Sequence, residues 1–534
     1  MYHGLKEYIR FLEQKGELRR IHEFVDPVLE IACATDIESK KAGGGKALLF
    51  ENTGTAFPVL TNMMGSEARI RYALGVESLD AVGPQIDALV SRISGAGGSL
   101  RDKLRMLPLL KRAASWMPRM HKGHAPCQES VQYAAQLSRI PILKCWPQDG
   151  GRFITLPLVH TVSPVTGIRN VGMYRMQVID EATTGMHWHR HKTGAKHLAE
   201  CAHRLPVAVC LGGDPVYTYA ATAPLPEGID EYMLAGFLRG KPVELVKCFT
   251  QELMVPADCD FVIEGYVQKS EAPFMEGPFG DHTGFYSLED LYPKFHITCI
   301  THRLDAVYPA TVVGIPPMED KYIQEATEKI FLSPIRLAIA PEIEDLYLPE
   351  EGVGHNFAVV RIRKQYEGQA FKVANALWGA GQMMFNKFLL VVDEDFDIRD
   401  RDRLLEAICR NVDVTRDLLF SRGPLDMLDH ASPQSGFGGK LCIDATRKEQ
   451  VFTNRRIEEV VRVLYDAEAQ QEDRYRKLWL LGANCDPVRD SRVDGCLILD
   501  AMSKKDRSGF TRRWPDITTH DPAMVERMKE LLKD

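Results

Sequence analysis

FITLPLVHTV, at residues 153–162, is an apolar stretch of strand length, and similar stretches follow it in the middle of the chain. They are MYRMQVI (173–179), PVAVCLG (206–212), DFVIEGYVQ (260–268) and FHITCITH (295–302). Gly, Pro and Asp residues separate them. Many short strands in one segment are typical of a β-rich barrel or sandwich, so residues from about 141 to 310 are predicted to form one.

The residues before this segment predict a mixed α/β region. The chain opens with a charged helix whose apolar face is Leu5, Tyr8, Ile9 and Leu12, and ALLF (47–50) has the pattern of a strand. A glycine-rich stretch then leads into residues 101–122, which hold seven Lys or Arg and one Asp. We interpret this basic stretch as a solvated connector and as a candidate domain boundary.

The residues after the β-rich segment predict a layered α/β domain. IRLAIAPEI (335–343), FAVVRIR (357–363) and KFLLVVD (387–393) have strand patterns, whereas 366–384 and 401–411 have helical ones. Near the end, apolar residues at 457, 460, 461 and 464 predict a charged amphipathic helix. The predicted domains are therefore 1–125, 126–320 and 321–534, the last with an extended helical tail.

Composition excludes several classes of protein. The chain has 534 residues, 45% hydrophobic and 26% charged, which argues against a disordered chain or a coiled coil. Its net charge of -7 argues against a nucleic-acid-binding protein. No stretch is apolar enough to predict a transmembrane helix. The twelve cysteines include no CxxC motif, so we expect them to be free thiols. We therefore expect a cytoplasmic protein. GxGxxG, GxSxG and HExxH are absent, which disfavours Rossmann dehydrogenases, serine hydrolases and zincins.

A run of alternating histidines is the strongest local signal. In MHWHRHKTG (186–194), His187, His189 and His191 would share one face of an extended strand, opposite Trp188 and Arg190. Such a face predicts a ligand-binding or catalytic role about as strongly as a structural one. Zinc is the first candidate metal for imidazoles alone, but oxygen donors such as Asn170 and Glu231 would suit Mn2+ or Mg2+.

Two further segments supply an arginine and a pair of acids. Arg175 lies in NVGMYRMQVID (170–180), and Glu276 and Asp281 flank a Gly-Pro-Phe-Gly turn in EGPFGDHTGFY (276–286). The turn would let both carboxylates converge. Near one arginine, one acid would stay ionised while repulsion and desolvation keep the other protonated. An exposed loop with an ordinary salt bridge remains an equal alternative.

Taken together, these segments resemble the UbiD family of reversible, non-oxidative decarboxylases. The resemblance runs in order from Met1 to about Thr446. It is carried by GIRNVGMYRMQVID, MHWHRHKTGAKH, IDEYMLAGFLRGKPVELVKC, MEGPFGDHTGFY, RKQYEGQAFKV, FNKFLLVVDEDFDIRD and LDHASPQSGFGGKLCIDAT. It implies an N-terminal α/β region, a central split β-barrel that binds a flavin, and a C-terminal α/β domain used for assembly into homodimers or hexamers.

The resemblance also implies a cofactor, prenylated FMN, supplied by a flavin prenyltransferase. Mn2+, with K+ in many members, would anchor its phosphate, and the matching metal ligands are Asn170, His191 and Glu231. The matching flavin contacts are Asn170, Met173, Tyr174, Arg175, His187, Trp188, His189, Lys192, Thr193 and Lys387. Such a cofactor is needed because side chains offer no electron sink for the carbanion left by CO2.

The catalytic residues implied by the resemblance are Glu276, Arg175 and Asp281. Asp281 would donate the proton, and Arg175 would orient Glu276 and the substrate carboxylate. The predicted substrate is a polyprenyl-4-hydroxybenzoate or a related quinone precursor, and the alternatives within the family are a naphthoate or a small phenolic acid. His187 and His189 depart from the ubiquinone-pathway branch, and residues 447–500 look longer than in compact members. Outside the family, a metal-dependent hydrolase using His187, His189 and His191 is the rival hypothesis.

Overall fold

The structure is a computed structural model that describes residues 2–94, 111–226, 228–505, 507 and 510–533. The chain divides into two compact units. Unit 1 comprises Met1–Ala81, Ala88–Ile323 and Ile517–Asp534, and unit 2 comprises Val82–Asp87 and Gln324–Asp516. The first ten residues of the basic stretch 101–122 lie outside the described residues. The predicted limits of the three domains stay predictions.

The chain combines helices and strands in similar proportion, about 30% and 26% of its residues, which confirms the mixed α/β class. The helices are α1 (Leu5–Gln14), α2 (Glu30–Ser39), α3 (Glu67–Leu74), α4 (Val82–Ser94), α5 (Thr193–Glu200), α6 (Pro215–Thr222), α7 (Glu231–Arg239), α8 (Glu319–Ala338), α9 (Gln369–Trp378), α10 (Arg401–Asn411), α11 (Arg474–Asn484) and α12 (Pro522–Leu531). The strands are β1 (Leu18–Phe24), β2 (Ala47–Asn52), β3 (Val59–Thr61), β4 (Arg119–Met120), β5 (Ser130–Gln132), β6 (Phe153–Ile154), β7 (Leu158–Val162), β8 (Arg169–Met173), β9 (Met176–Gln177), β10 (Thr183–Gly185), β11 (Arg204–Leu211), β12 (Glu244–Lys247), β13 (Met254–Pro256), β14 (Phe261–Gln268), β15 (Phe274–Glu276), β16 (Asp290–Tyr292), β17 (Lys294–His302), β18 (Tyr308–Pro309), β19 (Ile343–Tyr347), β20 (Phe357–Ile362), β21 (Phe388–Asp393), β22 (Leu418–Pro424), β23 (Phe437–Asp444), β24 (Val461–Leu464), β25 (Ser491–Asp494) and β26 (Cys496–Asp500).

Unit 1 is built around a seven-stranded antiparallel sheet. Its strand order is β10-β17-β14-β11-β7-β8, and β5 pairs with β17. This sheet contains most of the short strands predicted between 141 and 310. The smaller sheets of the unit are β1-β2-β3-β18, β13-β12-β4, β15-β16 and β6-β9.

The predicted opening helix of unit 1 is confirmed as α1. Leu5, Tyr8, Ile9 and Leu12 form its buried face, and all are at most 3% exposed. The predicted strand ALLF lies in β2. At the other end of the chain, α12 packs against α2, where Arg527 pairs with Glu30.

Unit 2 is a layered α/β structure, as predicted. Its main sheet has the order β19-β20-β21-β23-β22, with β20, β21 and β23 parallel. Helix α9 packs on one face of this sheet and α10 on the other. A second sheet has the order β24-β26-β25.

Two predictions for this part of the chain are wrong. IRLAIAPEI is not a strand, because α8 continues to Ala338 and Ile335 packs at helical spacing from Leu332 and Ile339. The predicted amphipathic helix at 457–464 is a short 3-10 turn followed by β24. Val461 to Leu464 pair with β26, a partner over thirty residues away that a helical period cannot reveal.

All twelve cysteines are free thiols, and all but Cys409 are buried. Burial raises the pKa of the buried thiol Cys210 to about 11 and of Cys33 to about 12. This agrees with the expectation of free thiols. No helix among the described residues combines the length and the apolar character needed to cross a bilayer.

Candidate active site

An arginine between two acids lies at the centre of the candidate site. Arg175 occupies the short connection between β8 and β9, Glu276 is the last residue of β15, and Asp281 follows in the adjoining loop. Arg175 Nε donates to Glu276 Oε1 at 2.9 Å, and Arg175 Nη1 donates to Asp281 Oδ2. Its Nη2 donates to Ser287 Oγ at 3.1 Å. The two carboxylates therefore converge on one guanidinium.

The loop that carries Asp281 folds back on itself, as its glycines predict. Asp281 N donates to Phe285 O at 3.1 Å, and Ser287 N donates to Phe279 O at 2.7 Å. Asp149 connects this loop to residues 145 and 146 by hydrogen bonds. Its Oδ1 accepts a hydrogen bond from Gly280 N at 2.7 Å. Its Oδ2 accepts from the backbone N–H groups of residues 145 and 146. Burial raises the pKa of Asp149 to about 6, against the lowering effect of these bonds.

Both acids are held in their ionised form. Burial alone would raise the pKa of Glu276, but the Arg175 charge and the His187 hydrogen bond outweigh it and lower that pKa. For Asp281, Arg175 and His282 likewise overcome burial and hold the pKa well below its usual range. The expectation that one acid is protonated in the free protein is therefore wrong, because a single cation contacts both carboxylates.

The histidine run is extended only as far as His189. His187 and His189 lie on one side, with ring centroids 4.3 Å apart and an Nε2–Nε2 distance of 2.8 Å. His187 Nδ1 also lies 3.0 Å from Glu276 Oε1. The chain then turns, and His191 is exposed. The prediction that three imidazoles share one face is therefore wrong for His191, and this arrangement does not favour the hydrolase hypothesis.

Most of the predicted flavin contacts lie close to this centre. Met173 ends β8, Tyr174 follows it, and the Tyr174 ring contacts the Trp188 ring edge-on with centroids 6.4 Å apart. Trp188 packs on Gly194, where an added Cβ would lie 2.6 Å from the indole Nε1. Lys192 is the N-cap residue of α5, and Thr193 is the first residue of this helix.

The predicted metal ligands are an amide, an imidazole and a carboxylate. Asn170 lies in β8, and Glu231 begins α7 and accepts from the neighbouring Val171 N at 3.0 Å. Burial raises the pKa of Glu231 to about 7. Among the described residues no cluster of three His, Cys, Asp or Glu side chains has the geometry of a metal site, but this set includes an amide.

The residues present fit a bound flavin and metal. Asn170 Nδ2 and Trp188 Nε1 are buried, and neither has a hydrogen-bond partner among the described residues. Buried polar groups normally have partners, so these two atoms are suited to a polar ligand. Amide and carboxylate oxygens with one imidazole form a ligand set suited to Mn2+.

Lys387 lies in unit 2, whereas the other predicted flavin contacts lie in unit 1. Its side chain is fully buried there, and its Nζ donates to Asp429 Oδ2 at 2.5 Å and to Gly482 O at 2.8 Å. A flavin contact by Lys387 stays a prediction.

Three residues of the site were missed by sequence reasoning. Ser287 binds Arg175, Asp149 holds the Asp281 loop, and the Tyr292 ring lies 4.3 Å from the His187 ring. None belongs to a motif. Ser287 lies near the acids because the loop folds back on itself. Tyr292 lies near them because β16 pairs with β15.

A buried guanidinium in contact with two carboxylates of lowered pKa is an arrangement typical of enzyme sites. The chain belongs to the UbiD family of carboxy-lyases, because three family models match it in order. They are the N-terminal domain of 3-octaprenyl-4-hydroxybenzoate carboxy-lyase at residues 9–89, its Rift-related domain at 119–316 and its C-terminal domain at 321–445. The resemblance inferred from the sequence is confirmed, and so is the three-part architecture.

Other proteins and solved structures are similar to this chain over most of its length. A protein of Aquifex aeolicus described as uncharacterized is 47% identical over 451 residues, which cover 84% of this chain and 92% of that protein. The vanillic acid decarboxylase of Sedimentibacter hydroxybenzoicus, in closed form, has a TM-score of 0.73 and 28% identity, with 85% and 95% of the two chains covered. The UbiD-class enzyme HmfF of Pelotomaculum thermopropionicum, solved with FMN, has a TM-score of 0.69 and 26% identity, covering 85% and 96%.

Proposed function

We propose that this carboxy-lyase uses prenylated FMN to decarboxylate an aromatic acid, namely a polyprenyl-4-hydroxybenzoate or a related quinone precursor. The observation that supports this most directly is Arg175 in contact with two buried, ionised carboxylates. The name of the matching family models and the flavin-bound structures of HmfF agree with it.

Loss of CO2 from an aromatic ring leaves an electron pair in the ring plane, where the ring cannot delocalise it. Prenylated FMN, when bound, supplies the electron sink. Asn170, His191 and Glu231 would hold Mn2+, with K+ as a second ion. The flavin itself would be held by Met173, Tyr174, Arg175, His187, Trp188, His189, Lys192, Thr193 and Lys387.

Arg175 would bind the substrate, and Asp281 would donate the proton to it. The guanidinium binds the substrate carboxylate, because charge-assisted pairs of this kind are strong and directional. Once the substrate anion shares the Arg175 charge, Asp281 has one more negative neighbour, and its pKa rises. Asp281 thus becomes a proton donor in the complex, whereas Glu276 stays bound to Arg175.

A small phenolic acid is the second candidate substrate. It is favoured by the similarity to vanillic acid decarboxylase. A naphthoate remains a further candidate within the family. We also propose that the protein works in the cytoplasm as a homodimer or hexamer and that it receives its cofactor from a flavin prenyltransferase. An evolved form of HmfF has been solved as a dimer.

The test begins with the protein purified after expression with and without a flavin prenyltransferase. We expect prenylated FMN, identified by absorption and by the mass of the released cofactor, only in the first preparation, together with bound Mn2+. That preparation is then offered polyprenyl-4-hydroxybenzoate, vanillate and dihydroxynaphthoate, and CO2 is measured.

Two variants and a control sharpen the assay. Glu276→Gln and Asp281→Asn should retain flavin and lose CO2 release, whereas Glu252→Gln, at an 85% exposed side chain, should retain both. Stoichiometric metal without flavin in either preparation, together with hydrolytic activity, would refute the proposal.

A further inference from the structure

A segment far along the chain, residues 517–520, lies against the loop that carries Asp281. Thr518 N donates to Gly284 O at 2.9 Å, and Thr518 Oγ1 donates to the same oxygen at 3.2 Å. Ile517 and Phe285 form an antiparallel β-bridge beside these bonds. The segment thus pairs with the loop in the manner of a short strand.

The Thr518 side chain is packed closely against the residue that precedes Asp281. It is 1% exposed. A Cβ added at Gly280 would lie 2.8 Å from Thr518 Cγ2 and 2.1 Å from Trp146 Cδ1. Because Gly280 has no side chain, the threonine methyl group and the indole can both approach the loop this closely.

Trp146 connects the segment to the loop a second time. The His520 ring stacks on the Trp146 ring, with centroids 4.1 Å apart and planes 23° apart. Both His520 nitrogens are buried and have no hydrogen-bond partner in the part of the chain that the structure describes. Burial lowers the pKa of His520 to about 4, so the imidazole is neutral and contributes through its ring face.

Helix α12, which follows directly, fixes the position of the segment. Asp521 caps this helix, since its Oδ1 accepts from the backbone N–H groups of residues 523 and 524. Met528 and Leu532 belong to the hydrophobic core and are at most 5% exposed. The segment is therefore held on unit 1 by contacts other than its bonds to the loop.

The bonds of Thr518 reach the turn that closes around Asp281. Gly284 N donates to Asp281 O at 2.9 Å, and Asp281 N donates to Phe285 O at 3.1 Å. Gly284 has a φ of 81°, a left-handed conformation that favours glycine. Thr518 thus binds the carbonyl of the residue whose N–H closes this turn.

Asp281 is therefore held from both sides in sequence. Asp149 accepts from Gly280 N, one residue before it, and Thr518 donates to Gly284 O, three residues after it. A displacement of about 1 Å at a reacting group can lower a rate by about a hundredfold. The position of this turn consequently matters for any proton that Asp281 donates.

Resting on the proposed function, we propose that Thr518 is a positioning residue that acts through Gly284 and holds Asp281 where it donates its proton. The family models that match this chain end at residue 445, so they assign no role to this segment. The stacking of His520 on Trp146 supports the same placement.

The first experiment is independent of activity. Hydrogen exchange of the holoenzyme is followed by mass spectrometry in Thr518→Pro, which removes the N–H that binds Gly284 O. Thr519→Pro, at the exposed neighbouring position, is the matched control. We expect residues 279–287 to exchange about tenfold faster in Thr518→Pro and about threefold faster in Thr518→Val, whereas β14 exchanges as in the unaltered protein.

The second experiment measures decarboxylation per bound flavin. We expect kcat to fall about tenfold in Thr518→Pro and about threefold in Thr518→Val, with unchanged KM and flavin content, because the segment does not hold the flavin contacts. Thr518→Ser keeps both hydrogen bonds and should stay within about twofold of the unaltered enzyme.

A solvent isotope effect separates misplacement of Asp281 from a simple loss of folded protein. A displaced donor slows the proton transfer itself, so the ratio of kcat in H2O to kcat in D2O should rise in Thr518→Pro and Thr518→Val. A smaller folded fraction would leave this ratio unchanged.

Four results would overturn the positioning role. They are unchanged exchange of residues 279–287 in both Thr518→Pro and Thr518→Val, an equal change in Thr519→Pro, a Thr518→Ser as slow as Thr518→Val, and an unaltered isotope ratio in the slower variants. An unaltered holoenzyme that releases no CO2 from any aromatic acid overturns the proposed function and the role of Thr518 in it. Exchange still reports whether the segment holds the loop in that case, so the two failures are distinguishable.

Discussion

Replacing Arg175 by methionine should destabilise the protein strongly at pH 8 and much less at pH 5. The Arg175 side chain is 9% exposed, and its partners Glu276 and Asp281 are 0% and 11% exposed, so solvent screens these pairs little. Removing one partner of a buried ion pair costs about 3–5 kcal/mol, because the remaining charge is left uncompensated. In Arg175→Met, the carboxylates of Glu276 and Asp281 both lose their compensating charge.

The pH dependence follows from the pKa directions. Both acids have folded-state pKa values below their unfolded values of about 4, so they add stability that is present above pH 4 and lost as pH falls through the folded values. Without Arg175, burial raises both pKa values instead. The carboxyls of the variant then protonate on acidification, and its deficit shrinks.

Thermal unfolding at the two pH values measures this effect. Each kcal/mol shifts the unfolding temperature by about 2 °C, so a cost of about 3–5 kcal/mol should lower the unfolding temperature of Arg175→Met by about 6–10 °C at pH 8. Arg119→Met removes an ion pair to Glu244 whose side chains are 63% and 38% exposed, and it should cost below about 1 kcal/mol. Equal losses at both pH values, or a loss no larger than that of Arg119→Met, would contradict the reasoning.

Three further substitutions test other parts of the site. Asp149→Asn places an amide N–H against backbone donors and releases Gly280; we expect a loss of about 1–3 kcal/mol in unfolding free energy and reduced CO2 release, and unchanged values of both would count against the role of Asp149. Gly194→Ala forces a Cβ to within 2.6 Å of the Trp188 indole, so flavin content measured by absorption should fall; full content would refute the contact. Glu231→Gln should lower bound Mn2+ measured by mass spectrometry, and stoichiometric metal would show that this carboxylate is not a ligand.

Local patterns predicted the elements whose partners are near in sequence or whose periods are regular. The opening helix follows from Leu5, Tyr8, Ile9 and Leu12, and the strand 388–393 follows from its short run of apolar residues. One prediction failed because a distant partner decides the structure. Val461 to Leu464 form a strand because β26 lies beside them.

The acid pair was predicted with its arginine but with the wrong charge state. The glycine turn indicates that Glu276 and Asp281 converge, whereas the protonation of each depends on which atoms of Arg175 reach it. Sequence gives residue types and spacing but no distances. Asp149 and Tyr292 were missed for the same reason, because each comes near the acids only when the chain folds back.

The β15–β16 hairpin places Glu276 and Tyr292 on the inside and Met275 and Leu291 on the outside. Met275 and Leu291 are paired across the hairpin and are about half exposed. Because side chains alternate, inserting or deleting one residue in either strand would exchange an outside methionine or leucine for the inside carboxylate or phenol. Library design around this site can therefore vary the outer pair but must conserve the number of residues in each strand.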